Sequence, residues 1–534
     1  MKIIFVCLGS DLNAIGFRKM ASLAKSIHDN IEVCYIVPHN RLSLTSILFK
    51  QVSKESNKYE SVEMINKIAQ SLARSEMVCI SSMTLFSEYT KKIIKAIRII
   101  NPKIYIVWGG IHPIVYPEDA IISADAICTG EGENAFREFL TLYKNNEDFS
   151  NVRNFWFNIN GQIKKNIFSP LQSPAEMEQF PFPLYGEGEQ IFTQKSGFIP
   201  LQISDYLSIN NLSYRTVWSI GCPNKCIYCS NSKFLNNDIN YSKIRYPSVD
   251  YIIKEIKNAI RIHPHISNVC FADDSFMTIP LNVIEEFAKQ WKEQINIPFY
   301  VGGLFPIHVN RDKIEVLLWA GMNRVRMGIQ SGSDRILKFY KRPNPPGSIK
   351  KAVIILGDYT KYMIPPAYDI IVDNPIEETK DLIDTLKLMY EMPRPYTFQV
   401  YSLAIMPNTE LSEEFTRLGI KCKTIDQGYQ AVFPIISNIL IYLMPIIKPP
   451  RALFNFLLKY VKPCSVPQAK FPILLFIVRA LFFIDRGIAH LRFMDFSLMQ
   501  GQIGYILWKL GIIGFYHKRF FKSRPIPNTV KIKV

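Results

Sequence analysis

Cys222, Cys226 and Cys229 fall within eight residues, in GCPNKCIYCS at 221–230, while the other seven of ten cysteines are scattered singly along 534 residues. Thiolates this close hold metal, and their number decides which kind. A structural zinc site closes with four Cys or His ligands, and no fourth cysteine or histidine lies near the trio. A cuboidal iron–sulfur cluster with three protein thiolates and one open iron fits the count. A disulfide scaffold does not fit, because ten cysteines are spread through a long chain whose opening apolar run, MKIIFVCL, is too short for a signal-peptide core. That run reads as a buried first strand, and the thiols imply a reducing cytoplasm. Cys7, Cys34, Cys79, Cys128 and Cys270 lie in predicted strands as small buried hydrophobes. Cys422 and Cys464 do not suggest a second cluster.

The elements that must position the trio follow from the periodicity. RTVWSIG at 215–221 reads as a strand running into the cysteine loop. NVCFADDSF, VRMGIQSGSDRIL, YDIIVDNPIEETKDL and YSLAIMPNTEL follow as further strand ends between helical stretches. The alternation from 211 to 420 predicts a parallel, partial (β/α) barrel with the cysteines at its mouth. Asp273 and Asp274 end one strand, where carboxylates could accept hydrogen bonds from an ammonium group. Residues 1–150 alternate strand and helix as a doubly wound α/β domain does. Such sheets bind ligands at the carboxyl ends of their strands. Ser10 and Asp11, Ser81 and Ser82, and Gly109 and Gly110 occupy those ends. Residues 151–210 are proline-rich and weakly periodic, which is linker composition.

The Cys-x3-Cys-x2-Cys spacing, with Tyr228 before the last cysteine, resembles the signature of radical S-adenosylmethionine (SAM) enzymes. The first 150 residues resemble the cobalamin-binding domain that precedes many of them, through DLNAIG at 11–16, ISSM at 80–83, GGIHP at 109–113 and GEGE at 130–133. This resemblance implies that the three cysteines hold a 4Fe–4S cluster and that SAM chelates its open iron. It further implies a SAM pocket at Asp273, Asp274, Gln330, Ser331, Gly332 and Pro407. Cobalamin would lie against Ser10, Asp11, Asn13, Ser81, Ser82, Gly109 and Gly110. Two departures stand out. Asn13 holds the place of the cobalt-ligating histidine of the best-known cobalamin domains, and an amide is a poor cobalt ligand. Gln330 replaces a glutamate of the usual Glu-Ser-Gly-Ser motif, and an amide still donates and accepts hydrogen bonds. His112 reads as structural.

Residues 421–534 complete the chain as a mainly helical extension. Of the net charge of +17, the segment from Lys448 onward carries +13. Its apolar stretches, 433–447 and 471–484, are shorter than the roughly 20 residues of a spanning helix and are broken by Pro445 and Arg479. Basic residues mixed with Phe, Leu, Ile and Trp read as amphipathic elements on an anionic membrane surface. A helical subdomain capping the barrel is the alternative. Nucleic acid is disfavoured, since no RNA-binding module is recognisable. The implied function is a cobalamin-dependent radical SAM C-methyltransferase. In that chemistry a 5′-deoxyadenosyl radical takes hydrogen from an unactivated carbon and methylcobalamin delivers a methyl group. The tail points to a small hydrophobic substrate of lipid, isoprenoid or pigment type, and the cluster calls for an electron donor such as a flavodoxin or ferredoxin. A radical cyclase or rearranging enzyme, and a non-catalytic cobalamin or redox sensor, stay open on sequence alone.

Overall fold

The computed structural model describes residues 1–9, 11–38, 61–186, 188–425, 432–493, 495 and 501–523. Its first sheet has nine strands: β1 (Ile3–Leu8), β2 (Ile31–Ile36), β3 (Met77–Ser82), β4 (Tyr105–Gly109), β5 (Ala126–Cys128), β6 (Phe155–Ile159), β7 (Gln162–Lys165), β8 (Glu189–Thr193) and β9 (Gly197–Pro200). Their order is β7-β6-β5-β4-β3-β1-β2-β8-β9. β1 is buried at all six positions, as a parallel strand covered by helices on both faces must be. Helices Ile15–Ile27 and Glu133–Lys144 pack on one face and Val62–Leu72 and Ser87–Ile100 on the other. The strand order reverses between β3 and β1, which opens a crevice at their carboxyl ends.

Residues 151–210 do more than link. β6 and β7 form a hairpin on one edge, turning at Asn160 and Gly161, both with positive φ, which suits the right-handed twist of the flanking strands. β8 pairs with β2 and carries β9 on the other edge.

The second sheet is parallel throughout, with six strands in chain order: β10 (Ser213–Thr216), β11 (Asn268–Phe271), β12 (Phe299–Leu304), β13 (Met322–Gln330), β14 (Ala367–Val372) and β15 (Thr397–Ser402). Helices connect consecutive strands, so this is the partial barrel. Phe299, Val301, Val325, Met327, Tyr368, Ile370 and Phe398 pack outward into the core. Inward positions behave differently. Tyr300, Arg326, Asp369, Gln399 and Tyr401 remain partly exposed, so the barrel encloses space that solvent reaches. RTVWSIG is not all strand: β10 stops at Thr216 because the next backbone N–H groups bond to a side chain, described below.

Helices Ile436–Leu443, Arg451–Leu458, Pro472–Arg492, Gly501–Lys509 and Ile512–Ser523 form the extension. Helix Pro472–Arg492 is longer than the apolar stretch 471–484 suggested, because Arg479, Arg486 and His490 turn inward while Asp485 and Arg492 stay exposed. Among the described residues no helix is long and apolar enough to cross a membrane.

Candidate functional site

The cysteine loop is held from three sides. Trp218 N–H and the Ser219 hydroxyl bond to the Asp273 carboxylate at 3.2 and 2.6 Å, and Ser219 N–H bonds there too. Ile220 and Arg245 exchange backbone bonds of 2.8 and 2.9 Å, and Cys222 N–H reaches Tyr241 O at 3.1 Å. Gly221, at φ +116°, lies so close to this segment that a Cβ would meet Lys243 O at 2.6 Å. Ile227 N–H bonds to Tyr340 O at 3.1 Å and fixes the loop's far end.

Cys222 and Cys226 are buried and Cys229 is partly so, and all three thiols are free. Burial raises the Cys222 and Cys229 thiols, the latter to about 12, and Asp274 and the neighbouring cysteines add to both shifts. The thiols therefore interact with one another, and a cationic cluster would reverse that electrostatic balance. Among the described residues no three His, Cys, Asp or Glu side chains are arranged to hold a single metal ion. The donor set of three neighbouring thiols suits a multi-iron cluster better than zinc.

The expected SAM residues divide into two groups. Asp273 is committed to the loop backbone, not turned toward the mouth. Burial raises its carboxyl to about 6 against the pull of its Ser219 and Trp218 hydrogen bonds. Asp274 is exposed and hydrogen-bonded by Asn231 and Tyr241. Gln330 ends β13 at φ +72°, partly exposed. Ser331 is buried against Thr385 at 3.2 Å, and Gly332 N–H bonds to the same hydroxyl at 2.9 Å. A Cβ on Gly332 would lie 2.6 Å from Thr385 Cα, so this pair brings helix Thr379–Glu391 close to the strand end. Pro407 occupies the turn after β15, where Asn408 Nδ2 comes within 3.4 Å of Glu118 in the first domain.

The crevice of the first sheet faces this mouth. Asp11 caps its own turn by accepting the Asn13 N–H at 3.0 Å and lies 4.0 Å from Arg215 on β10. Glu131 of GEGE receives Arg245 at 2.6 and 3.2 Å, which ties the first domain to the brace behind Cys222. Gly110 has φ +94°, and a Cβ there would meet Ser82 O at 2.7 Å and Ser81 Oγ at 3.1 Å. Gly109 beside it meets nothing closer than 4.0 Å. This bare backbone gives a flat ligand room. Ser82 is buried, its hydroxyl accepting from Trp108 Nε1 at 2.9 Å and Thr90 at 3.1 Å, so it joins β3 to β4. Asn13 is partly exposed. Ser10 lies outside the described residues. His112 is buried against Trp108 and pairs with Asp119 at 3.0 Å, with burial lowering its pKa.

Two family models match the chain: the B12 binding domain over residues 1–140 and the Radical SAM superfamily over residues 216–389. This chain is a radical SAM enzyme with a B12-binding domain. The cofactors of such an enzyme are a 4Fe–4S cluster, SAM and cobalamin. An uncharacterized methyltransferase of Pyrococcus horikoshii is 22% identical over 339 residues, covering 62% of this chain and 67% of that protein. The fold is similar to the radical SAM methyltransferase TsrM from Kitasatospora setae, solved with cobalamin and a 4Fe–4S cluster (TM-score 0.58, 14% identity, 78% of this chain and 75% of that one). It is similar also to the cobalamin-dependent SAM radical enzyme OxsB (TM-score 0.58, 14% identity, 97% of this chain and 75% of that one).

One residue beside the cysteine loop had no signal in the sequence. Arg342 points Nη1 at Cys226 Sγ, 3.8 Å away, and at the Tyr228 hydroxyl, 3.2 Å away. Its Nη2 bonds to Gly328 O. Its guanidinium lies 3.6 Å from the Phe305 ring centroid. A fixed cation beside a thiolate stabilises the negative charge there. Arg342 sits 116 residues from Cys226 with no motif around it, so only the fold brings them together.

Proposed function

We propose that this enzyme is a C-methyltransferase acting on an unactivated carbon of a small hydrophobic molecule. The observation that carries the reading is the opposition of the two strand-end sites: the crevice at Asp11 and Gly110 faces the barrel mouth that holds the cysteine loop. Cys222, Cys226 and Cys229 would hold the cluster, with Asn224 Nδ2 3.8 Å from Cys222 and Arg342 beside Cys226. Asp274 and Gln330 would meet SAM, and Ser331, Gly332 and Asp273 would shape its pocket from behind. Asn13, Ser81, Gly109 and Gly110 would border cobalamin, with no histidine offered to cobalt from this loop. When bound, the cluster with SAM supplies a hydrogen-abstracting radical and cobalamin supplies a methyl group. The protein's part is to align these groups across one interface. The methyltransferase relatives named above support the reading.

The functional units would be 1–150 for cobalamin, 151–210 as connection, 211–420 for radical chemistry and 421–534 as extension. Helix Pro472–Arg492 exposes Ile473, Ile477, Leu481, Ile484, Ile488 and Leu491, a stripe at helical spacing. With the basic tail, this stripe supports a cytoplasmic enzyme that docks peripherally on an anionic membrane surface and draws a hydrophobic substrate from it. A flavodoxin or ferredoxin would supply electrons.

The test is an anaerobic assay of reconstituted enzyme with SAM, cobalamin, reductant and a lipid extract, following 5′-deoxyadenosine and S-adenosylhomocysteine. Both rise in step for methyl transfer. Deoxyadenosine rising alone replaces this reading with cyclisation or rearrangement.

A further inference from the structure

The barrel lumen carries more positive than negative charge. β13 turns Arg324 and Arg326 inward at alternate positions, and helix Pro472–Arg492 adds Arg486 from the extension. Two of the three arginines have carboxylate partners: Arg326 pairs with Asp369 at 2.6 Å, and Arg324 with Asp495 at 3.7 Å. Arg486 has a neutral one. With the Gln399 amide oxygen turned toward it, that oxygen accepts from both terminal nitrogens at 2.7 and 2.8 Å. Asp369 also attracts Arg486, but its Oδ1 is engaged by Arg326. Arg486 is half-buried, so solvent in the lumen still reaches it. Burial and the facing Arg324 lower its pKa to about 10, which leaves it charged at neutral pH. A cation held among cations, with no carboxylate of its own among the described residues, is built for an anion from outside.

We propose that the lumen binds an anionic group of the substrate, a phosphate or a carboxylate, with Arg486 as its counter-cation and Arg326 and Tyr401 beside it. Arg326 Nη2 already bonds to the Tyr401 hydroxyl at 2.7 Å, so the two form a fixed polar wall. The site is separate from the SAM pocket: Arg326 lies four residues before Gln330 on β13, about 13 Å down the strand. The inference rests on the reading that substrate occupies this lumen. A hydrophobic molecule with an acidic head group satisfies both.

The test uses the cluster-reconstituted full chain without turnover. Thermal protection by inorganic phosphate and by succinate is titrated at constant ionic strength against chloride, with and without saturating SAM and cobalamin. Saturable protection by one of the two anions, unaffected by SAM and cobalamin, is expected, and the anion that protects identifies the head group. Arg486→Gln should weaken it roughly 10- to 100-fold, as loss of a charge-assisted pair does. Arg486→Lys, which keeps the charge, should keep most of it, and exposed Lys350→Gln should change nothing. The proposal falls if neither anion outdoes chloride, if Arg486→Gln binds like the parent, or if SAM or cobalamin abolishes protection, which would assign the arginines to a cofactor. Because no product is measured, a failed methyl-transfer assay leaves this result standing, and the reverse holds too.

Discussion

Gly221→Ala asks whether the shape of the cysteine loop, and not its thiols alone, decides cluster assembly. The new methyl group would lie 2.6 Å from Lys243 O and 2.8 Å from Tyr241 O, closer than the 3.0 Å at which real Cβ atoms stop. Residues 241–243 must withdraw by several tenths of an ångström. They are tied to the loop by the Cys222–Tyr241 bond at 3.1 Å and the Ile220–Arg245 pair. Losing one or two of these costs about 1 kcal/mol each, and alanine at positive φ adds about 1–2 kcal/mol. A total of about 2–4 kcal/mol lowers the population of the ordered loop roughly 30- to 700-fold. The assay is iron and acid-labile sulfide per chain after anaerobic reconstitution. Gly347→Ala is the control, because Gly347 also has positive φ (+75°) but no neighbouring atom within 4 Å of the place a methyl group would take. Equal iron uptake by the two variants would refute the argument.

Cys226→Ser should abolish deoxyadenosine formation while leaving cobalamin binding intact, read from the cobalamin absorbance spectrum, since the crevice lies in the other domain. Arg342→Gln should still assemble a cluster but lower its midpoint potential on the order of 100 mV, about 2 kcal/mol for one electron, because a cation 3.8 Å from Cys226 Sγ is removed; a spectroscopic redox titration that shows no shift counts against it. Asp273 gives a pH signature. Its folded pKa of about 6 exceeds the ordinary 3.8, so the native state holds the proton more tightly and stability from this group falls as pH rises through that window. The difference is about 3 kcal/mol. Asp273→Asn removes the effect, so the variant should gain on the parent in paired melts between pH 4.5 and 7, and parallel melts would exclude it.

Local spacing singles out the three cysteines, because all three sit on one loop and chemistry restricts their number. The strands were legible for a similar reason: apolar runs such as IIFVCL bury every residue. Side chains whose partners are distant in sequence were not. Asp273 looked like a ligand at a strand end, yet it closes the loop 54 residues before it. VWSIG has strand composition, but the Trp218 and Ser219 N–H groups go to that carboxylate, and Ile220 pairs only in a single bridge with Arg245. In the 151–210 segment four of the five prolines that give it linker composition lie between the edge strands, in coil or at a helix start, and Pro200 closes edge strand β9, where proline is tolerated.

The tail shows most clearly what composition leaves undecided. A basic, apolar segment is ordinarily read with its charges outward, since arginine is seldom buried. In helix Pro472–Arg492 the sides are exchanged: Arg479 and His490 are buried, Arg486 enters the lumen, and seven large aliphatic residues face out. The same residues in another helical phase would have made an ordinary solvated helix. Phase is set by what packs against the helix: Gln399 of the barrel offers polar surface to Arg486, and Tyr442 of helix Ile436–Leu443 offers an aromatic ring to Arg479. The exchange makes two roles that stood as alternatives compatible: the inner side packs on the barrel, and the outer side is the one proposed above to meet a membrane. On the reading proposed above, the face that would meet a hydrophobic surface and the arginine that would hold an acidic head group lie on opposite sides of this one helix.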